Sequence, residues 1–305
     1  MARNILDSRN KPQVSLVLGS GGARGLAHIG VIRCLEDHGY TIRYISGASI
    51  GALVGGIYAA GKLEEYANWV RELEKTDVLR LLDWSFSHGA IFKGEKIINV
   101  LKTLIGERNI EDLRIGFTAV ATDLDSEREV WFNKGPLFDA IRASIAVPMV
   151  FEPVRYGGRL LVDGGLVNPI PIAPVLNDQS ELIIAVDLNA EAAGHGQEQT
   201  YSAEKSASKS EYRMKITTFM QSFFSHTGNN KGDDFPGLFD LMMRSMDVMQ
   251  TTIARFKLAA YTPDLVVNIP RDKCGFFEFY RAGELIEFGY GKTEQSLKVL
   301  EQGNS

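Results

Sequence analysis

Two rhythms of apolar residues run through the chain. The run VSLVL at residues 14–18 is rich in branched residues and stopped by Gly19, the pattern of a short strand buried on both faces. From Arg24 to His38 the apolar positions Leu26, Ile29, Ile32 and Leu35 fall instead on one helical stripe. A strand, a glycine loop and a helix are therefore expected in that order. The alternation continues: IGFTAVATDL at 115–124, EVWFN at 129–133, LIIAVDL at 182–188 and DLVVNIP at 264–270 read as strands. Helices are expected at 49–60, 63–75, 94–105, 136–144 and 281–300, and residues 154–163 read as a hairpin turning at Gly157-Gly158. Such alternation predicts an α/β fold, with a mostly parallel sheet covered by helices on both faces.

One stretch breaks the pattern. Residues 190–210 contain no Ile, Leu, Val, Phe or Met, so they cannot contribute to a core. We read 190–236 as a mobile insertion in a single domain spanning 14–300, since strand and helix patterns resume after it. Within it, Tyr212, Ile216, Phe219, Met220, Phe223 and Phe224 form one helical face, suited to lipid headgroups or to packing on residues 239–260. In that second segment Phe239, Met242, Met246, Met249, Ile253, Phe256 and Ala260 alternate steps of three and four, the spacing of an interhelical seam.

Composition narrows the function classes. The chain has 305 residues, 45% of them hydrophobic, enough for a sizeable core, and its formal net charge of -5 gives nucleic acid no basic footprint. Cys34 and Cys274 stand 240 positions apart with no Cys/His cluster, which argues against a disulfide framework or a zinc site and for a reducing, cytoplasmic setting. The N-terminal MARNILDSRNKPQ lacks the roughly 7 to 15 apolar residues of a secretion signal. The longest uncharged stretch, 44–61, includes five glycines and reads as strand plus turn rather than a membrane span.

Chemistry enters at Gly47-Ala48-Ser49-Ile50-Gly51. This matches a nucleophile elbow, in which flanking glycines let a strand and a helix approach so tightly that a strained turn presents the serine hydroxyl. A small-residue face for helix packing explains the same glycines equally well. Gly19-Ser20-Gly21-Gly22-Ala23-Arg24-Gly25 follows the first strand directly and offers backbone N–H groups as an anion cradle. A dinucleotide fingerprint needs an acidic residue at the end of the second strand, where this chain has Ser46-Gly47-Ala48-Ser49, and a P-loop needs Gly-Lys-Ser/Thr. Asp163-Gly164-Gly165 falls at the end of the hairpin, and by itself reads as a turn-forming aspartate. An orthodox triad requires a histidine after the acid, leaving only His195 and His226, both inside the insertion. His28 reads as a packing or loop-bracing residue, and no histidine is convincingly placed as a base.

Taken together, GSGGARG at 19–25, GASIG at 47–51, ATDL at 121–124, RASIAVP at 142–148 and DGGLVNPIP at 163–171 resemble the patatin-like phospholipase family, especially its small bacterial members of the RssA type. The resemblance implies a three-layer α/β/α fold and a serine-aspartate dyad without histidine, with Ser49 as nucleophile and Asp163 as base. It further implies that Gly21 and Gly22 donate the oxyanion-hole hydrogen bonds, and that Arg24 either stabilises that loop or meets a phospholipid phosphate. The substrate implied is a lipid or other fatty-acyl ester, with no metal and no cofactor. Ser20 departs from the family pattern, in which many members have glycine. Peripheral membrane contact and a homo-oligomeric state are compatible with this reading. A Ser-His-Asp hydrolase and a non-catalytic adaptor that keeps the fold are its rivals.

Overall fold

The computed structural model describes residues 12–83, 85, 90–191 and 238–303. The expected order of elements is present. Strand β1 (Gln13–Leu18) leads through a 3-10 turn at Gly22–Leu26 into α1 (Ala27–Asp37), and β2 (Thr41–Ala48) leads into α2 (Ile50–Ala59). There follow α3 (Leu63–Arg71), α4 (Lys75–Leu81), β3 (Ala90–Phe92), α5 (Glu95–Ile105), β4 (Gly116–Asp123), β5 (Arg128–Phe132) and α6 (Leu137–Ser144). Then come β6 (Met149–Phe151), the hairpin β7 (Val154–Tyr156) and β8 (Arg159–Asp163), β9 (Leu182–Ala190), α7 (Leu238–Tyr261), β10 (Leu265–Pro270) and α8 (Ala282–Gly303).

The main sheet runs β10-β9-β1-β2-β4-β8-β7, with β5 paired to β4 off this path. All pairs from β10 to β4 are parallel, and the β4–β5, β4–β8 and β7–β8 pairs are antiparallel. The sheet is mostly parallel, as expected, with an antiparallel end. Alternation along the strands shows both faces covered. Leu16 and Leu18 of β1 and Ile184 and Val186 of β9 join the larger core with α1, α2, α6 and α8, whereas Val17 and Ala185 face the opposite side. Burying each such aliphatic side chain contributes about 1.5–3 kcal/mol.

The opposite side is a thin layer. Val17 and Ala185 meet Ile170, Ile172 and Val175 of the coil after β8, together with Ala254 and Leu258 of α7. On α7, Met246, Gln250 and Ala254 are buried, while Met242, Met249 and Phe256 are 42%, 48% and 72% exposed; the partner expected for the seam, 211–224, lies outside the described residues.

Two further differences are local. The helix expected over 63–75 ends at Arg71, and α4 restarts behind a capping box between Glu74 and Asp77, whose Oδ2 accepts the Glu74 amide at 3.1 Å. A second sheet pairs β3 with β6 in parallel, two three-residue strands too short to leave a periodic signal. The stripe at 211–224 and nearly all of the insertion lie outside the described residues, and Ala190 itself ends β9.

Candidate active site

The sheet assembles the site by an arrangement of three strands on one. Ala48, the last residue of β2, pairs with Val120 of β4, and Asp163, the last residue of β8, pairs with the next position, Ala121. Because β5 pairs with residues 119–123 of β4, β2 and β8 must share its other edge, lying end to end. The two run in opposite directions, so their C-terminal ends meet. The residue leaving β2 and the residue ending β8 are thereby brought together from opposite ends of one strand edge.

Ser49 leaves β2 with φ 56° and ψ -126°, a backbone region hostile to side chains other than hydrogen, and becomes the N-cap of α2. The turn is that tight because Gly51 lies against the end of β1, where a Cβ would stand 2.1 Å from the Leu18 carbonyl oxygen. Ser49 is 4% exposed and Asp163 1% exposed. The Ser49 Oγ donates to Asp163 Oδ2 at 2.5 Å, while the Gly165 amide donates to Oδ1 at 2.6 Å. Thr122 Oγ1 donates to the Asp163 carbonyl at 2.9 Å, fixing the strand end. Burial pushes the Asp163 carboxyl up to about 7, against the opposing pull of the hydrogen bonds from Ser49 and Gly165. A feeble base in water thus becomes one matched to neutral pH.

The glycine loop lies beside this pair. The amides of Gly19, Ser20 and Ala23 are committed to the carbonyls of Val186, Pro169 and Phe276, whereas those of Gly21 and Gly22 make no hydrogen bond among the described residues. Gly22, at φ +58°, lines the same cavity as Ser49. Replacing it with alanine would put a Cβ 2.6 Å from the Phe276 ring in a backbone conformation alanine resists. If Gly22 is an oxyanion donor, as the resemblance implies, Gly22→Ala is expected to lower kcat by about 10- to 100-fold in ester-hydrolysis assays on folded protein. An unchanged kcat would remove this amide from the oxyanion hole.

Arg24 points away from the cavity. It is 4% exposed, and its guanidinium reaches the Arg271 carbonyl at 3.3 Å, Asn189 Oδ1 at 3.4 Å and Asp247 Oδ1 at 3.7 Å. Asn189 in turn donates to the Ser20 carbonyl at 3.2 Å, so of the two roles implied for Arg24 the geometry fits bracing of the loop. His28 is fully buried with Nε2 2.9 Å from the Gly19 carbonyl, and burial lowers its pKa to about 4. It is a neutral donor that holds the loop from behind. His38 turns to the Cys34 carbonyl, and His88, His195 and His226 lie outside the described residues.

A cavity of about 120 Å³ opens beside Ser49. Apart from Ser49 and Gly22 its wall is aliphatic or aromatic, contributed by Leu53 of α2, Trp69 and Val70 of α3, Leu101 of α5, and Phe276 and Phe277. Such a wall accepts a hydrocarbon chain and offers no partner to a charge. The sequence does not announce this wall, whose members come from separated segments, and within RASIAVP nothing marks Ser144 for a role. Among the described residues no helix is long and apolar enough to cross a membrane, and no three His, Cys, Asp or Glu side chains gather as a metal site.

Residues 16–176 match the family model described as patatin-like phospholipase. An NTE family protein of Mycobacterium tuberculosis, itself uncharacterized, is 39% identical over 340 aligned residues, covering 96% of this chain and 93% of the relative. The lysophospholipase NTE1 of Debaryomyces hansenii is 26% identical over 298 residues, 95% of this chain and 18% of that protein. Among solved structures, VipD from Legionella pneumophila aligns with a TM-score of 0.46 and 14% identity, over 94% of this chain and 67% of that one.

Proposed function

The chain belongs to the patatin-like phospholipase family, and from that membership we propose that it is a serine acyl hydrolase cleaving a fatty-acyl ester of a lipid through a Ser49–Asp163 dyad. The observation that carries the reading is the direct hydrogen bond, 2.5 Å long, from the Ser49 hydroxyl to a buried carboxylate. Asp163 accepts the Ser49 proton as Oγ attacks the ester carbonyl, and the negative charge on the carbonyl oxygen is taken up by the free amides of Gly21 and Gly22. Collapse of the tetrahedral intermediate breaks the bond to the alcohol, which leaves with the proton from Asp163. Water repeats the sequence on the acyl-serine, giving up its proton to Asp163 and releasing the fatty acid with Ser49 restored.

The acyl chain fits the apolar cavity, and the polar remainder of the lipid stays outside it. The name of the Debaryomyces hansenii relative makes a lysophospholipid the first substrate to try. This reading puts the enzyme in the cytoplasm, meeting lipid by peripheral contact, with no metal or cofactor in the reaction.

The test is hydrolysis and covalent labelling together. Purified protein in EDTA is expected to release fatty acid from a lysophospholipid and to be modified by a fluorophosphonate at Ser49, read by mass spectrometry of the labelled peptide. Folded protein that neither labels nor releases fatty acid would favour the non-catalytic adaptor. Activity restored only by added calcium would reveal a metal requirement.

A further inference from the structure

Ser144 ends α6 with no exposure to solvent, and its hydroxyl is used twice. It accepts the Ser49 amide at 2.9 Å and donates to the Val120 carbonyl at 2.6 Å. Val120 is the residue of β4 paired with Ala48, next to Ala121, which pairs with Asp163. Two residues beyond Ser144, the Ala146 carbonyl accepts the Asp163 amide at 2.9 Å. The segment 144–146 therefore grips the backbone of both dyad residues and the strand between them.

Resting on the dyad reading, we propose that Ser144 is a positioning residue, holding Ser49 in its strained conformation while Ala146 holds Asp163, so that this short segment sets the distance between Oγ and the carboxylate. The physical need is plain at Ser49. A backbone at φ 56° returns toward ordinary geometry unless something holds it, and its amide hydrogen bond runs to the Ser144 hydroxyl. That bond also commits the nucleophile's own amide, leaving the glycine loop to supply the oxyanion donors. Without the Ser144 hydroxyl the Ser49 amide and the Val120 carbonyl both lose a partner in a dry site, and Oγ drifts from Asp163. A misplacement near 1 Å costs on the order of 100-fold in rate.

The experiment compares Ser144→Ala and Ser144→Cys with wild type on a soluble short-chain ester, with active sites counted by fluorophosphonate so that kcat refers to folded, labelled protein. Ser144→Ala is expected to lose about 10- to 100-fold in kcat per site with KM within about twofold. Its acidic pH limb should also move upward, because a carboxylate that loses the Ser49 hydrogen bond holds its proton more tightly; among the described residues Asp163 is shifted by burial, Ser49 and Gly165, with no charged neighbour acting on it. Ser144→Cys keeps a weak donor and acceptor and should recover part of the loss. If Ser144→Ala does not fold, Ser144→Cys carries the test through its kcat and pH limb. Wild-type kcat per labelled site with an unmoved limb overturns the proposal, even if the melting temperature falls, since a merely structural hydroxyl would lower the active fraction and nothing else. The wild type's labelling at Ser49 is read separately and decides the dyad.

Discussion

Ser49→Ala and Asp163→Asn are each expected to reduce lipid-ester hydrolysis by at least about a thousandfold, and the double variant to fall little further. In the proposed dyad the Ser49 proton passes to Asp163 along their 2.5 Å hydrogen bond, so neither group would work without the other. Asparagine is the sharper replacement at 163. Its Oδ1 can still accept the Gly165 amide and its amide nitrogen can donate to Ser49 Oγ, so the geometry survives while the base is lost. Measured on purified protein with intact circular dichroism, substantial turnover by either single variant would sink the assignment. A double variant much worse than both singles would mean that the residues act independently.

The second large effect is in pH. With the Asp163 carboxyl at about 7 in the folded protein, kcat/KM should fall about tenfold for each unit below that value, as the base becomes protonated. The same shift acts on stability, with a definite sign. The unfolded chain releases this proton near the ordinary 3.8, and the folded chain keeps it up to about 7, so between those values the folded state binds the extra proton and stability falls as pH rises. The stabilisation is fully present below 3.8 and gone above 7, a difference on the order of 4 kcal/mol. Asp163→Asn removes the buried charge and should melt several degrees above wild type at pH 8.5, with no such advantage below pH 4. Calorimetry at the two pH values checks this. An equal or lower melting temperature at pH 8.5 would show that the site solvates the carboxylate well.

Much of this site was legible in the sequence because its parts are local. Glycines at 47 and 51 around a serine, a glycine loop after the first strand, and an aspartate closing a hairpin each leave a short signature, and strand-turn-helix order distinguishes an elbow from a packing face. Asp163 alone was ambiguous; its meaning lies in pairing with Ala121, which no spacing along the chain reveals. Ser144 illustrates the same gap, since a small polar residue at a helix end has many uses and only the Ser49 amide 2.9 Å away selects one. The seam expected along α7 needs a partner, 211–224, that lies outside the described residues. Steps of three and four describe both a heptad and an ordinary helix over two turns, and of the expected positions Met246 is buried while Met242, Met249 and Phe256 are exposed.

The end-to-end meeting of β2 and β8 on one edge of β4 also bears on biosynthesis. Nucleophile and base are 114 positions apart, and the strand that joins them lies between. While the chain is made, β1, β2 and α2 can pack early, but Ser49 then has neither the Ser144 hydroxyl to hold its backbone nor a carboxylate to take its proton. On the proposed dyad, only when β8 docks antiparallel, a non-local step that closes a long loop, does the hydroxyl become a nucleophile. With that dyad, a chain whose β8 has not yet docked on β4 is for that reason chemically silent.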